Sequence, residues 1–333
     1  MKTQAVIFPE PNKFELTELE LEEPGPKDIQ VKTLVSAISP GTERWVLRGK
    51  HMGSQFPCVP GYHRIGIVEE CGKETANFKV GDIVYGSAGR WKGNIISMWG
   101  AHVGFSVGDW TGYRFVASST LNRLELETLS FAIVAGVANR GIRFCNVGIT
   151  QKILIIGSGF IGICAAQLAA GRGAHPVLLE QDTERIAFAK NLISDVLCTD
   201  DKNLETELQK LAPDGFDILY DTVGHAETTD RMVQKMKRQG TLLLQAQYFD
   251  RERCALNLDQ IKIRELTVKT TCGTDDQDWL ETTHNIRTRH LKIAPLITHR
   301  FEANEALKGY QLLHTGKPLN MGIVFRWDER VKD

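Results

Sequence analysis

The sequence has no blocks of like charge: 40 Lys and Arg stand against 41 Asp and Glu, for a net charge of −1. A strongly basic nucleic-acid-binding surface is therefore not expected. It also has no low-complexity segment and no repeat at a period of roughly 20–50 residues, which excludes solenoids and disordered arrays. Cysteine is scattered. Cys58, Cys71, Cys145, Cys164, Cys198, Cys254 and Cys272 are odd in number, and no two are close neighbours. That fits neither a disulfide framework nor a CxxC zinc motif, so reduced thiols in a cytoplasmic protein are expected. The opening MKTQAVIFPEPNKFELTELE lacks the apolar run of a secretory signal. The charge-free stretch from Ile153 to Gly171 is long enough to span a bilayer. Gly157, Ser158, Gly159 and Gly162 interrupt it after a β-branched run, however, so a buried strand, a glycine turn and a buried helix are expected there rather than a membrane span.

What is present is ordinary for a soluble two-domain protein: 333 residues, 42% apolar and 24% charged. The first part reads as short strands with Pro and Gly between them: Ala5–Phe8, Phe14–Leu19, Asp28–Ala37, Gly66–Glu70 and Asp82–Gly86. Leu126–Asn146 then reads as one or two apolar helices. Strands and helices alternate after it: Ile153–Ile156 with Gly159–Gly171, Val177–Glu180 with Thr183–Asn191, then strands at Val196–Cys198, Asp217–Asp221, Thr241–Gln245 and Leu266–Thr270. This alternation predicts βαβ units and a doubly wound parallel sheet, an α/β Rossmann domain over residues 124–295. Residues 1–123 and 296–333 form the other, mostly β, domain. The latter part carries a strand, a helix over Glu302–Thr315 and a final strand.

The strongest motif is Gly157-Ser158-Gly159-Phe160-Ile161-Gly162, between the strand KILII and an apolar helix. The first glycine permits the tight turn, the second lets backbone approach a pyrophosphate, and the third lets helix and strand pack closely. The helix N-terminus offers unpaired N–H groups to the phosphates. Glu180 ends the next strand, where an acidic side chain accepts hydrogen bonds from the adenosine ribose hydroxyls. A carboxylate there repels a 2′-phosphate, so NAD is the expected cofactor. Arg185, five residues later, softens that preference.

Several segments together resemble the medium-chain dehydrogenase/reductase superfamily: AISPGTERWVLRG, FPCVPGYHRIGIVEECG, FKVGDIVYG, KILIIGSGFIGICAAQLA, LLEQDTERIAFAKNL, FDILYDTVG and PLITHRF. The resemblance implies a GroES-like, mostly β catalytic domain with the Rossmann domain inserted in it. It also implies a homodimer, in which the last Rossmann strand, Leu266–Thr270, pairs with its two-fold mate. Within the superfamily the chain is similar to the group around bacteriochlorophyllide a dehydrogenase, which shares S-x-G-T-E and P-G-Y. Many members hold a catalytic zinc, and here the chain departs. Ser39 or Pro40 stands at the ligand Cys, Tyr62 at the ligand His, and Ile133 at the helical Glu; no four-cysteine structural lobe follows VGDIVYG. A catalytic zinc needs three protein ligands, so no metal is expected. Glu43, His63 and Cys58 are the one alternative set.

Without a Lewis acid, hydrogen-bond donors must stabilise charge on the substrate oxygen and a side chain must move the proton. The resemblance places Thr42, Tyr62 and His63 there. Thr42 matches the hydroxyl of the family's proton relay, Tyr62 brings a phenol to the ligand position, and His63 is expected to titrate near neutrality and relay a proton to solvent. His102 is a weaker candidate, and His299 is expected to be structural. Trp91, Trp99, Phe105, Trp110 and Tyr113 cluster in sequence as an aromatic wall suited to a sugar face or a flat conjugated substrate. The expectation is a zinc-independent, NAD-dependent dehydrogenase acting on a small-molecule secondary alcohol (a polyol, sugar, cyclitol or hydroxyethyl tetrapyrrole) or its ketone. An NADPH-dependent zinc-free quinone or enoyl reductase and a non-catalytic nucleotide-binding protein remain open.

Overall fold

The computed structural model describes residues 1–119, 121–248 and 255–331, so Cys254 lies outside the described residues. The chain divides into two units, Met1–Phe131 with Ile293–Asp333, and Ala132–Lys292.

The first unit opens with β1 (Lys2–Ile7) and β2 (Glu15–Glu20), an antiparallel pair running from Lys2 opposite Glu20 to Ile7 opposite Glu15. Then come β3 (Asp28–Ala37), α1 (Pro40–Leu47), β4 (Cys58–Val59), β5 (His63–Cys71), β6 (Ile83–Gly86), β7 (Ile96–Ser97), β8 (Phe105–Asp109), β9 (Tyr113–Ala117) and α2 (Arg123–Ser130). Helix α1 has Ser39 at its N-cap and Pro40 in its first turn, where a proline's missing N–H costs nothing. The sequence expectation ended the first domain at residue 123; the structure assigns α2 to the first unit. The cause is electrostatic: Glu127 of α2, 1% exposed, pairs with Arg300 at 2.7 Å and Arg326 at 2.9 Å. A buried carboxylate has to stay with its partners.

The second unit begins with α3 (Ala132–Phe144) and runs through β10 (Lys152–Ile156), α4 (Phe160–Gly171), β11 (His175–Glu180), α5 (Thr183–Ala189), β12 (Val196–Cys198), α6 (Leu204–Leu211), β13 (Phe216–Asp221), α7 (Ala226–Val233), β14 (Met236–Leu244), α8 (Leu258–Ile263), β15 (Thr267–Thr270) and α9 (Asp276–Arg287). Among the described residues its strands form one parallel sheet in the order β12-β11-β10-β13-β14-β15. The order reverses beside β10, the switch point at which open α/β sheets bind ligands. Ile153, Leu154, Ile155 and Ile156 of β10 are all buried, the mark of a strand covered on both faces. One face packs Leu154, Leu179 and Leu242 against Leu204 and Leu208 of α6 and Met232 and Val233 of α7. The charge-free stretch Ile153–Gly171 is thus strand, turn and helix. No helix of the described residues is long and apolar enough to cross a membrane.

The chain then returns to the first unit with β16 (Ile297–Glu302), α10 (Ala306–Thr315) and β17 (Gly322–Arg326). The main sheet there runs β16-β17-β3-β5-β6-β9, with β8 also paired to β3.

Candidate active site

In the second unit the glycine turn lies between β10 and α4. Gly157 has φ +98°, and a Cβ on it would stand 2.6 Å from Val223 Cγ2 and 2.8 Å from Thr222 Oγ1. A Cβ on Gly162 would stand 1.9 Å from the Gly157 carbonyl oxygen, so any larger residue would push helix and turn apart. Gly159 is the N-cap of α4 and supplies no side-chain cap, which leaves the first-turn N–H groups for a ligand. Phe160 and Ile161 begin the helix, with Phe160 buried. Glu180, at the end of β11, turns its carboxylate back to the turn. Oε2 accepts from Ser158 N and Ser158 Oγ, both at 2.9 Å; Oε1 accepts from Gln181 N at 2.8 Å and Asp182 N at 3.1 Å. Arg185 Nη1 lies 3.4 Å from where a Cβ of Gly159 would be. Its guanidinium has no charged partner among the described residues, so a half-buried cation faces the turn. This cradle fits a nicotinamide dinucleotide.

In the first unit Tyr62 precedes β5, and its ring lies 5.4 Å from Trp99 and 4.3 Å from the ring of His63. Its phenol oxygen is 2.5 Å from Ser39 Oγ and 3.4 Å from Thr42 Oγ1. Burial pushes the Tyr62 phenol up, the Ser39 and Thr42 hydrogen bonds oppose this, and the charge of Glu43 adds to it. The phenol is therefore a donor at neutral pH. His63 is fully buried, with Nδ1 2.7 Å from Tyr85 Oη. The Tyr85 hydroxyl also lies 3.2 Å from the Ser130 carbonyl, and His63 Nε2 is buried without a hydrogen-bond partner. The expectation that His63 titrates near neutrality is corrected. Burial, with His102 nearby, lowers its pKa to about 3, so it stays neutral and carries no proton to solvent.

Behind this cluster lies a buried polar network that sequence reading did not assemble. Glu43, 0% exposed, accepts from Ser39 N at 2.8 Å, from His102 Nε2 at 3.1 Å and from Tyr310 Oη at 2.6 Å. Trp327 Nε1 donates to Ser36 Oγ at 2.8 Å; Ser36 in turn donates to His102 Nδ1 at 2.8 Å, which fixes the tautomer. Ser39 has the N-cap position but makes no capping bond. Glu43 takes the Ser39 backbone N–H, and the serine hydroxyl is turned to Tyr62. A serine directly before a helix-starting proline was the available sequence signal.

The expected aromatic wall does not assemble as one surface. Of its members, Trp99 reaches Tyr62. Trp91 is core, packed with Ala5, Ile7, Leu19, Val59 and Val103; Trp110 packs on Phe78, Lys32 lies over Phe105, and Tyr113 lies under the buried Arg64. His299 stacks on Phe301 and bonds Thr298.

Residues 25–125 match the family described as alcohol dehydrogenase GroES-like domain, and residues 161–287 match the zinc-binding dehydrogenase family. The chain belongs to the medium-chain dehydrogenase/reductase superfamily. It is an NAD(P)-dependent oxidoreductase acting on CH–OH groups. It is 29% identical over 319 residues to 2-desacetyl-2-hydroxyethyl bacteriochlorophyllide A dehydrogenase of Cereibacter sphaeroides, covering 93% of this chain and 94% of that one. It is 24% identical over 324 residues to L-threonine 3-dehydrogenase of Vibrio cholerae, covering 90% and 92%. The crystal structure of 2R,3R-butanediol dehydrogenase from Bacillus subtilis superposes with a TM-score of 0.82 at 16% identity, covering 97% and 99%, and shows the shared fold.

Zinc is a common cofactor of this superfamily, and the side chains here do not fit it. Of Ser39 and Pro40 at the Cys position, Ser39 offers only a neutral hydroxyl bonded to the Tyr62 phenol and Pro40 has no donor atom; Ile133 has none, and Tyr62 is a protonated phenol. The alternative set of Glu43, His63 and Cys58 does not assemble: the Glu43 oxygens are taken by protein donors, and burial pushes the Cys58 thiol up to about 12. Among the described residues no three His, Cys, Asp or Glu side chains converge on a metal position.

Proposed function

We propose that this superfamily member is a zinc-independent, NAD-dependent dehydrogenase that interconverts a secondary alcohol, such as a polyol, sugar, cyclitol or hydroxyethyl tetrapyrrole, and its ketone. The observation that carries the reading is Tyr62, a phenol bracketed by the Ser39 and Thr42 hydroxyls at the position where zinc members place a ligand His. The relatives that act on a hydroxyethyl bacteriochlorophyllide and on threonine support a secondary-alcohol substrate. The six described cysteines, all free, support a cytoplasmic setting.

The nicotinamide, when bound, supplies the hydride donor or acceptor. Every other task falls to the chain. The turn from Gly157 to Gly162 presents backbone N–H groups to the pyrophosphate, and the Arg185 guanidinium adds a cation beside them. The Glu180 carboxylate accepts an adenosine ribose hydroxyl and disfavours a 2′-phosphate. Tyr62 Oη donates to the substrate oxygen, gives up its proton as that oxygen becomes a hydroxyl in reduction, and takes it back in oxidation. Thr42, half-buried, links the phenol to solvent. His63, fully buried, packs its ring against that of Tyr62 and holds the phenol in place.

The test is turnover of a panel comprising 2,3-butanediol, L-threonine, sorbitol and inositol with NAD, in the presence and absence of EDTA. We expect activity on at least one secondary alcohol, unchanged by the chelator, in protein without stoichiometric zinc. Tyr62→Phe should lower kcat by roughly 100-fold or more, the range for a positioned acid. About one zinc per chain, or undiminished turnover in Tyr62→Phe, would refute this reading.

A further inference from the structure

The Glu180 carboxylate is saturated in the free protein. A carboxylate offers about four acceptor positions, and Ser158 N, Ser158 Oγ, Gln181 N and Asp182 N donate to it at 2.8–3.1 Å. Three of these donors are backbone N–H groups. They are fixed by the glycine turn and by the chain leaving β11, and cannot withdraw without moving main chain. The Ser158 hydroxyl is different, because rotation about χ1 removes it. Ser158 is buried and Glu180 half-buried, so when the hydroxyl turns away the charged acceptor loses a partner in a site only partly open to water. Hydrogen bonds to charged groups are among the stronger ones in proteins, and such an exchange has a cost.

Resting on the NAD reading of this cradle, we propose that Ser158 is a specificity-determining latch: its hydroxyl occupies the Glu180 acceptor position that a ribose hydroxyl of NAD takes over. Binding then exchanges one O–H···carboxylate bond for another, and the free protein holds Glu180 aimed at the ribose position at the expense of affinity. NADP gains nothing from the exchange: its 2′-phosphate brings no donor, and repulsion between phosphate and carboxylate keeps the remaining 3′-hydroxyl from the vacated oxygen. A freed carboxylate only repels it.

The experiment titrates the full-length wild-type protein, Ser158→Ala, Glu180→Ala and the double variant with NADH and with NADPH, followed by nicotinamide fluorescence. Ser158→Ala is expected to bind NADH roughly three- to tenfold more tightly and NADPH no more tightly than wild type. In the Glu180→Ala background the same substitution should change nothing, since the effect passes through that carboxylate. NADH affinity that is unchanged or weaker in Ser158→Ala, an equal gain for both cofactors, or a gain that survives loss of Glu180 would overturn the latch. A weaker affinity would make Ser158 a phosphate donor instead. The NAD reading is judged separately by the wild-type protein: NADPH bound as tightly as NADH refutes it, whatever Ser158→Ala does.

Discussion

Replacing Glu43 by alanine removes the acceptor for three buried donors at once: the Ser39 backbone N–H, His102 Nε2 and the Tyr310 hydroxyl. A buried donor left unsatisfied costs about 1–3 kcal/mol. Taking the low end for each, because water can enter the vacated volume, gives about 3 kcal/mol, a large fraction of an ordinary domain's stability. For a unit of this size, 1 kcal/mol shifts Tm by about 2–4 °C, so Glu43→Ala should melt about 6–12 °C below wild type. Five of the six tryptophans (Trp45, Trp91, Trp99, Trp110 and Trp327) lie in the first unit and Trp279 in the second, so a thermal melt followed by tryptophan fluorescence reports mainly on the first. Tyr310→Phe removes one donor and leaves the carboxylate its other two, for a loss of about 1.5–2 kcal/mol. The double variant discriminates. Once Glu43 is gone the Tyr310 hydroxyl is an unsatisfied group, so deleting it should cost nothing further, and Glu43→Ala with Tyr310→Phe should melt no lower than Glu43→Ala alone. A Glu43→Ala melt within about 2 °C of wild type, or two penalties that simply add, would refute the account of this network.

Two further expectations follow from other parts of the molecule. His63 ionises with an ordinary pKa of 6.5 in the unfolded chain and about 3 in the native one, so its neutral burial stabilises fully above about 6.5 and that stability is lost as pH falls towards 3. Between pH 7 and pH 5 wild type should lose about 2 kcal/mol more than His63→Asn in urea denaturation, and equal losses would contradict the burial argument. Strand β15 ends the parallel sheet and is largely exposed, with Val268 45% accessible, an edge that pairing with a second copy would cover. Light scattering at micromolar concentration should give a dimer, and a monomer would sink that assignment.

The sequence by itself determined the parts whose physics is local. The glycine spacing after KILII, the apolar run following it and the acid ending the next strand specify strand, turn, helix and carboxylate, because each requirement falls within a few residues of the next. Strand β3 was legible over Asp28–Ala37 for the same reason. The charge of His63 was not legible, because it depends on burial against Tyr85, Ser130 and Phe131, and only burial keeps a group that ordinarily titrates near neutrality in its neutral form. The aromatic run was misleading because its members alternate between core and surface along strands and turns, which sends Trp91 and Trp99 to different neighbours. The end of the first unit was decided by Glu127 meeting Arg300 and Arg326, and the support of Tyr62 by Glu43 meeting Tyr310, 267 positions away. Such pairs bring together a carboxylate and donors that carry no mark of each other in sequence. Only the closing of the sheet by β16 and β17 brings them within hydrogen-bonding distance.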